Sequence, residues 1–176
     1  DRTEAKDYKQ QLAVWVWNTL KKPLPILNEQ CLGMIGAEDR RHEMAFHWQH
    51  LGQTLTGYID LLFRVDDGQG GHDYFILDWK SNLNAEGYDP KVLAATVMKH
   101  HHYDLQYQIY AAAVSSWFQQ LKLPNARLKG AIYAFSRGIN WQSDDQMGFF
   151  CHEFADLEQQ NIETQQHIAT LTGVKP

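Results

Sequence analysis

Cysteine is nearly absent. The 176 residues carry two, Cys31 and Cys151, too few for a disulfide framework and consistent with a reducing compartment. Long hydrophobic runs are missing as well: nothing approaches the roughly 18 consecutive apolar residues of a membrane-spanning helix. There is no Gly-x-Ser-x-Gly element or comparable setting for a nucleophile, and no Cys/His pairs stand at zinc-ligand spacing. Internal repeats and low-complexity tracts are lacking too. So is a basic excess, because the formal net charge is −5. That balance argues at first against a nucleic-acid partner, since phosphates attract Lys and Arg. The chain opens Asp1-Arg2-Thr3-Glu4 with neither an initiator Met nor a signal peptide, so the expectation is one domain, residues 1–176, from a longer protein. What is present is core material. The composition is 44 % hydrophobic and 12 % aromatic, and a chain of this length buries roughly 70 % of its unfolded surface, which excludes global disorder.

Periodicity then divides the chain. Leu12, Val16 and Leu20, with Trp15 beside them, predict an amphipathic helix from Thr3 to about Leu20, closed by Pro23 and Pro25. Residues 26–40 read as loop or short irregular structure. Three strands follow at Glu43–Trp48, Thr54–Val65 and Tyr74–Lys80, the last two joined into a β-hairpin by the glycine-rich turn at 66–73. Asp89 as N-cap and Pro90 at the first position predict a helix to His101. A second helix, Tyr103 to Leu121, is apolar at Leu105, Ile109, Ala112, Ala113 and Trp117 and is ended by Pro124. Leu128–Phe135 is a strand, Phe149–His152 a further short one, and Glu153–Leu171 a polar helix. This order predicts an α/β protein built on a mixed β-sheet flanked by helices.

The chemistry concentrates in the hairpin. Asp60 lies inside one apolar strand and Asp78 near the end of the other, and a carboxylate in such a setting is costly to bury unless paired, hydrogen-bonded or bound to a metal. Lys80 stands two residues after Asp78 and so on the same sheet face. Two carboxylates and one ammonium around a small volume suit hard-cation chemistry at phosphate. The bland alternative is a structural Asp78–Lys80 ion pair at a strand end with Asp60 capping a turn. The run His100, His101, His102 reads as a solvated or helix-ending segment, with contact to a DNA backbone as the alternative. GQGG at 68–71 reads as a turn, because no helix follows to hold a phosphate. Trp79 is the tryptophan placed to stack on a base.

The segments GYIDLLF, ILDWKSN, YDLQYQIYAAAV and GAIYAFSRG, in this order across roughly residues 40–140, resemble the RecB-like nuclease domains of the PD-(D/E)xK nuclease superfamily. The resemblance implies the restriction-endonuclease-like fold and a Mg²⁺-dependent exodeoxyribonuclease, with Mn²⁺ or Ca²⁺ able to substitute in binding. It implies Asp60 and Asp78 as metal ligands with the backbone carbonyl of Trp79, and Lys80 as the catalytic lysine. Glu43 matches the family's acidic residue on the first core strand. Gln106 and Tyr110 match the Gln-x-x-x-Tyr motif, whose spacing of four shares a helix face and could reach DNA. Neighbouring backbone is the alternative partner for both. The implied partners are single-stranded DNA delivered by a helicase and other subunits of an exodeoxyribonuclease V complex, in the bacterial cytoplasm, acting in recombinational repair of double-strand breaks. The family also has a metal-binding histidine on an upstream helix. Residues 1–40 contain no histidine, so the resemblance implies a chain that begins after that helix and a weakened or silent site on its own. A nuclease-like module that binds DNA or subunits without catalysis is therefore the second reading.

Charge, counted by segment, removes the initial objection. Residues 1–140 hold 15 basic and 15 acidic side chains, whereas residues 141–176 hold one basic against six acidic. The acidity belongs to the C-terminal end and to the carboxylates of the hairpin.

Overall fold

A computed structural model describes residues 2–27, 29–50, 53–123 and 125–172. Helix α1 (Arg2–Lys21) is followed by an irregular segment with two single-turn 3-10 helices, Leu32–Met34 and Ala37–Asp39. Three strands come next, β1 (Arg40–His50), β2 (Gln53–Asp66) and β3 (His72–Lys80), then α2 (Pro90–Ala95), α3 (Val97–His100) and α4 (Tyr103–Gln120). Strands β4 (Ala126–Phe135) and β5 (Phe149–Glu153) and helix α5 (Leu157–Thr172) complete the chain. The sheet order is β1-β2-β3-β4-β5, antiparallel except for the parallel pair β3 and β4. This is the expected mixed sheet. Parallel strands require a long crossover, and α2, α3 and α4 supply it.

The hairpin forms where the sequence places it, with Leu61 opposite Leu77 and Asp66 opposite His72. Its turn is built by Asp67, whose Oδ1 accepts from the N–H groups of Gln69 and Gly71 at 2.7 and 2.9 Å. Asp89 caps α2 as expected, accepting from Lys91 N–H at 2.8 Å, with Pro90 at the first position. The single helix expected from Pro90 to His101 is interrupted at Thr96 (φ −112°, ψ −86°), whose hydroxyl donates to the Val92 carbonyl at 2.7 Å. The β-branched side chain competes with the regular ladder at that point. His100 ends α3 and His101 follows as its C-cap, so the histidine run closes a helix. Pro124, expected to stop α4, lies outside the described residues. Strand β1 extends three residues upstream and two downstream of the expected Glu43–Trp48.

Two apolar clusters sandwich the sheet. On one side Ile59, Leu62, Ile76, Tyr110, Val114 and Tyr133 pack with α2, α3 and α4. On the other, Leu61, Phe63, Phe75 and Leu77 meet Leu24, Leu27, Leu32 and Ile35 of the irregular segment. Helix α1 behaves differently from its periodicity. Of the stripe Leu12, Val16 and Leu20, only Leu20 packs against a core cluster, and Val16 is 59 % exposed. The helix is fixed instead by Asn18 Nδ2, which donates to the Ile139 carbonyl at 2.8 Å, and by buried Lys22, which donates to the Ser143 carbonyl. No helix of the described residues is long and apolar enough to cross a membrane.

Candidate active site

Strand pairing and face alternation both break where the hairpin acids lie. The β2–β3 ladder stops at Leu61–Leu77, one step short of Asp60 and Asp78. Beyond that point β2 continues only with β1, while the end of β3 continues with β4, where Asp78 pairs Tyr133 and Lys80 pairs Phe135. The strands fork. At the fork the faces slip: Met44 and Ile59 turn toward the α4 side, whereas His42 and Leu61, only two residues away on each strand, turn to the opposite side. Regular alternation would put residues two apart on one face. The slip is absorbed between the pairs His42–Leu61 and Met44–Ile59, where Glu43 adopts a left-handed φ of 49°. A non-glycine residue there stores backbone strain, and such strain gathers at functional sites.

The slip turns Asp60 out of the regular pleat and into the fork. Its Oδ2 accepts the backbone N–H of Trp79 at 2.9 Å, so a side chain stands in for the missing strand partner. Asp78, at the end of β3, is 2 % exposed. Its Oδ1 accepts no hydrogen bond of ordinary geometry among the described residues and is abutted by the Lys80 ammonium as an ion pair. Burial raises the Asp78 carboxyl above the usual carboxylate range; Lys80 and the Tyr110 hydroxyl pull it back, and the charge of Asp60 pushes it further up.

Helix α4 and strand β4 enclose the lysine. Lys80 Nζ lies 3.3 Å from Gln106 Oε1, 4.1 Å from the ring centroid of Tyr103 and 5.2 Å from that of Tyr133. Gln106 Nε2 donates to the Tyr110 hydroxyl at 2.8 Å, and the Tyr110 hydroxyl faces the Asp78 charge. The Tyr133 hydroxyl sits 3.0 Å from Gln106 Oε1 and 3.1 Å from the Tyr103 carbonyl. Burial, followed by the Asp78 charge, raises the phenol pKa of both Tyr110 and Tyr133, so both remain donors. Gly57 supports this wall from across the sheet. A Cβ there would come within 2.9 Å of the Phe46 ring, which packs edge-on against Tyr110 with centroids 5.6 Å apart.

Asp60, Asp78, Lys80, Gln106 and Tyr110 are thus brought into one network. Glu43 stands across from Asp60 with an exposed side chain, and among the described residues no three His, Cys, Asp or Glu side chains converge to enclose an ion. Trp79 turns its indole away from Asp78 and Lys80, stacking on His42 with centroids 6.3 Å apart. Gln106 and Tyr110, expected at the DNA or the site, spend their polar atoms on Lys80 and Asp78. Tyr103 and Tyr133 carried no signal of their own. Tyr103 stands one turn before Gln106, and Tyr133 reaches Asp78 only through the parallel β3–β4 pairing.

The donor set suits a hard cation. A buried carboxylate oxygen met among the described residues by one ammonium, next to a second carboxylate, is an oxygen seat of the kind that Mg²⁺, Mn²⁺ and Ca²⁺ prefer, and Mg²⁺ commonly retains several waters beside one or two protein carboxylates.

The family follows from the whole chain. The family model described as the PD-(D/E)XK nuclease superfamily matches residues 5–172, and the chain belongs to that superfamily as a nuclease domain. Within it the sequence is RecB-like. It is 36 % identical over 98 residues to the RecBCD enzyme subunit RecB of Escherichia coli (strain K12), covering 52 % of this chain and 8 % of that protein. The RecB subunit of Borreliella burgdorferi is 37 % identical over 89 residues, covering 48 % of this chain and 7 % of that protein. That of Haemophilus influenzae is 32 % identical over 113 residues, covering 60 % and 9 %. The chain therefore spans less than a tenth of each of these curated relatives.

Proposed function

We propose that the chain is a Mg²⁺-dependent deoxyribonuclease domain that hydrolyses DNA phosphodiester bonds. The observation that carries this reading is the forked strand pair, which holds Asp60 and Asp78 together with Lys80 against Asp78. Asp60, Asp78 and the Trp79 carbonyl would hold the divalent ion. When bound, that ion supplies Lewis-acid polarisation of a phosphoryl oxygen and makes water a stronger nucleophile. Lys80, held beside Asp78, would present its ammonium to the oxygens on which charge grows as water attacks phosphorus. Gln106 and Tyr103 keep that ammonium at the mouth of the site, while Tyr110 orients Asp78. Glu43, exposed beside the fork, accepts a proton from the attacking water or fixes its direction. By similarity, the domain works in a RecB-like helicase–nuclease of the bacterial cytoplasm, with exonuclease action on a strand fed by the helicase and with partner subunits of a RecBCD-type complex, in recombinational repair of double-strand breaks.

The test is Mg²⁺-dependent digestion of single-stranded DNA. Asp78→Ala and Lys80→Ala should each abolish it while the thermal unfolding midpoint stays near that of the wild type. Undiminished digestion by the double variant in the intact parent protein overturns the reading. A silent DNA- or subunit-binding module has one observation in its favour, the lack of a three-ligand cluster among the described residues. It predicts no digestion by the wild type at any divalent ion concentration.

A further inference from the structure

Beside the fork, on the face opposite Lys80, lies a cleft of about 350 Å³ between α1 and the end of β3. Leu12, Trp15, Val16 and Leu20 form one wall, Trp79 and Ser136 the other, and the lining is almost wholly apolar. The cleft is tied to the proposed site through the backbone. Trp79 carries the N–H that Asp60 accepts, and Ser136 donates to the Lys80 carbonyl through its N–H at 3.0 Å and its hydroxyl at 3.3 Å. Beside the cleft, in the neighbouring cavity that shares Trp15, the Arg137 guanidinium lies 4.4 Å from the centroid of Trp15, and its Nε donates to the Ser81 carbonyl at 2.8 Å. These contacts fix the plane of an exposed guanidinium and, among the described residues, engage only one of its nitrogens. The other two form a fork matched to a phosphate.

The geometry points to a single-nucleotide subsite, in which Arg137 clamps a phosphate neighbouring the scissile one and the cleft receives the attached base against Trp79 and Trp15. The occupant is an unpaired strand. A base can enter an apolar slot of this kind only when released from its complement, and stacking on aromatic rings is indifferent to which base it is. The two indoles of the cleft and the guanidinium beside Trp15 suit alternating bases and phosphates better than an apolar protein segment, which would leave Arg137 without an anion. This inference rests on the proposed nuclease reading and extends it from the reacting phosphate to its neighbour.

The experiment is equilibrium binding of the full chain to a fluorescent oligothymidylate in EDTA, so that no cleavage intervenes, together with matched strands carrying one abasic position at successive sites. Wild type should bind one abasic strand roughly tenfold more weakly than the intact strand. Trp79→Leu should erase that discrimination and Trp79→Phe, which keeps a ring, should restore it. Arg137→Ala should weaken both strands alike and reduce the dependence of log affinity on log salt by about one. Wild-type affinity in Trp79→Leu and Arg137→Ala, with no abasic position discriminated, would assign the cleft to a protein segment and overturn the inference. If that result accompanies digestion that still requires Asp78, the nuclease reading stands without the subsite. If the binding pattern appears but Asp78→Ala digests DNA normally, the subsite stands and the reaction site is misassigned.

Discussion

The two ends of the β2–β3 hairpin carry the same kind of side chain and treat it in opposite ways. At the turn, Asp67 and Asp73 are both met by donors that the fold supplies. Asp67 accepts two backbone N–H groups, and Arg127 reaches Asp67 at 2.5 Å and Asp73 at 2.9 Å. Those backbone bonds first, and Arg127 after them, hold the Asp67 carboxyl below its ordinary value. At the fork, the buried Asp78 Oδ1 is met, among the described residues, by the Lys80 ammonium and by no backbone N–H, and burial holds the carboxyl up. Carboxylates that build a fold are satisfied by it. Those kept under-satisfied and pushed toward the neutral form are available to something that arrives from outside.

The sharpest way to break this contrast is by activity. Asp78→Ala should lower digestion of single-stranded DNA by roughly a thousandfold, whereas Arg127→Ala at the other end should leave it unchanged. Ion affinity comes next. Asp60→Asn should weaken Mn²⁺ or Ca²⁺ binding by roughly tenfold or more in a calorimetric titration, and Asp73→Asn should not move it. Loss of the relay should matter less than loss of the acid. Gln106→Ala and Tyr110→Phe should each slow digestion roughly tenfold, because they misplace Lys80 and Asp78 without removing them; wild-type rates in both variants would reduce the relay to packing.

Stability against pH should then separate the ends by sign. Asp67, lowered from 3.8, contributes stability that is present above that value and lost as pH falls through its folded pKa. Asp78, raised from 3.8, is protonated more readily in the folded chain than in the unfolded one, so stability falls as pH rises from there through its folded pKa. In EDTA, Asp67→Asn should flatten the acid limb of the melting curve against pH. Asp78→Asn should raise the midpoint at neutral pH, and a lower midpoint there would refute the claim that this acid is held at a cost to the fold. The smallest effect is that of Arg127→Ala on the midpoint, a lowering of a few degrees, because the guanidinium is about half exposed and such pairs are worth about 1 kcal/mol or less.

Much of this architecture could be read in the sequence because local signals agreed. The apolar runs 54–65 and 74–80 around a glycine-rich turn specify the hairpin, and Asp89-Pro90 specifies the start of α2. The pairing of Asp60, Asp78 and Lys80 follows from the hairpin alone. What escaped is what depends on long-range contact. Nothing local in Glu43 announces a left-handed residue inside a strand, and period-two reasoning treats Asp60 as facing one side of the sheet when the slip in alternation frees it. Both ends of the hairpin are acidic on paper; the long-range part of what tells them apart is Arg127, 60 residues from Asp67. Likewise the stripe Leu12–Val16 reads as core, and its use as a cleft wall depends on where β3 ends.

The distance between turn and fork has an evolutionary corollary. Six register pairs, from Leu61–Leu77 to Asp66–His72, separate the acids from the turn, about 20 Å of ladder. Residues can be inserted or removed at 67–71 without disturbing the far end, so the loop is free to vary in length or to accept a grafted peptide. Within the ladder the tolerance vanishes: one added or lost residue inverts every side chain beyond it, and Asp60 would leave the fork.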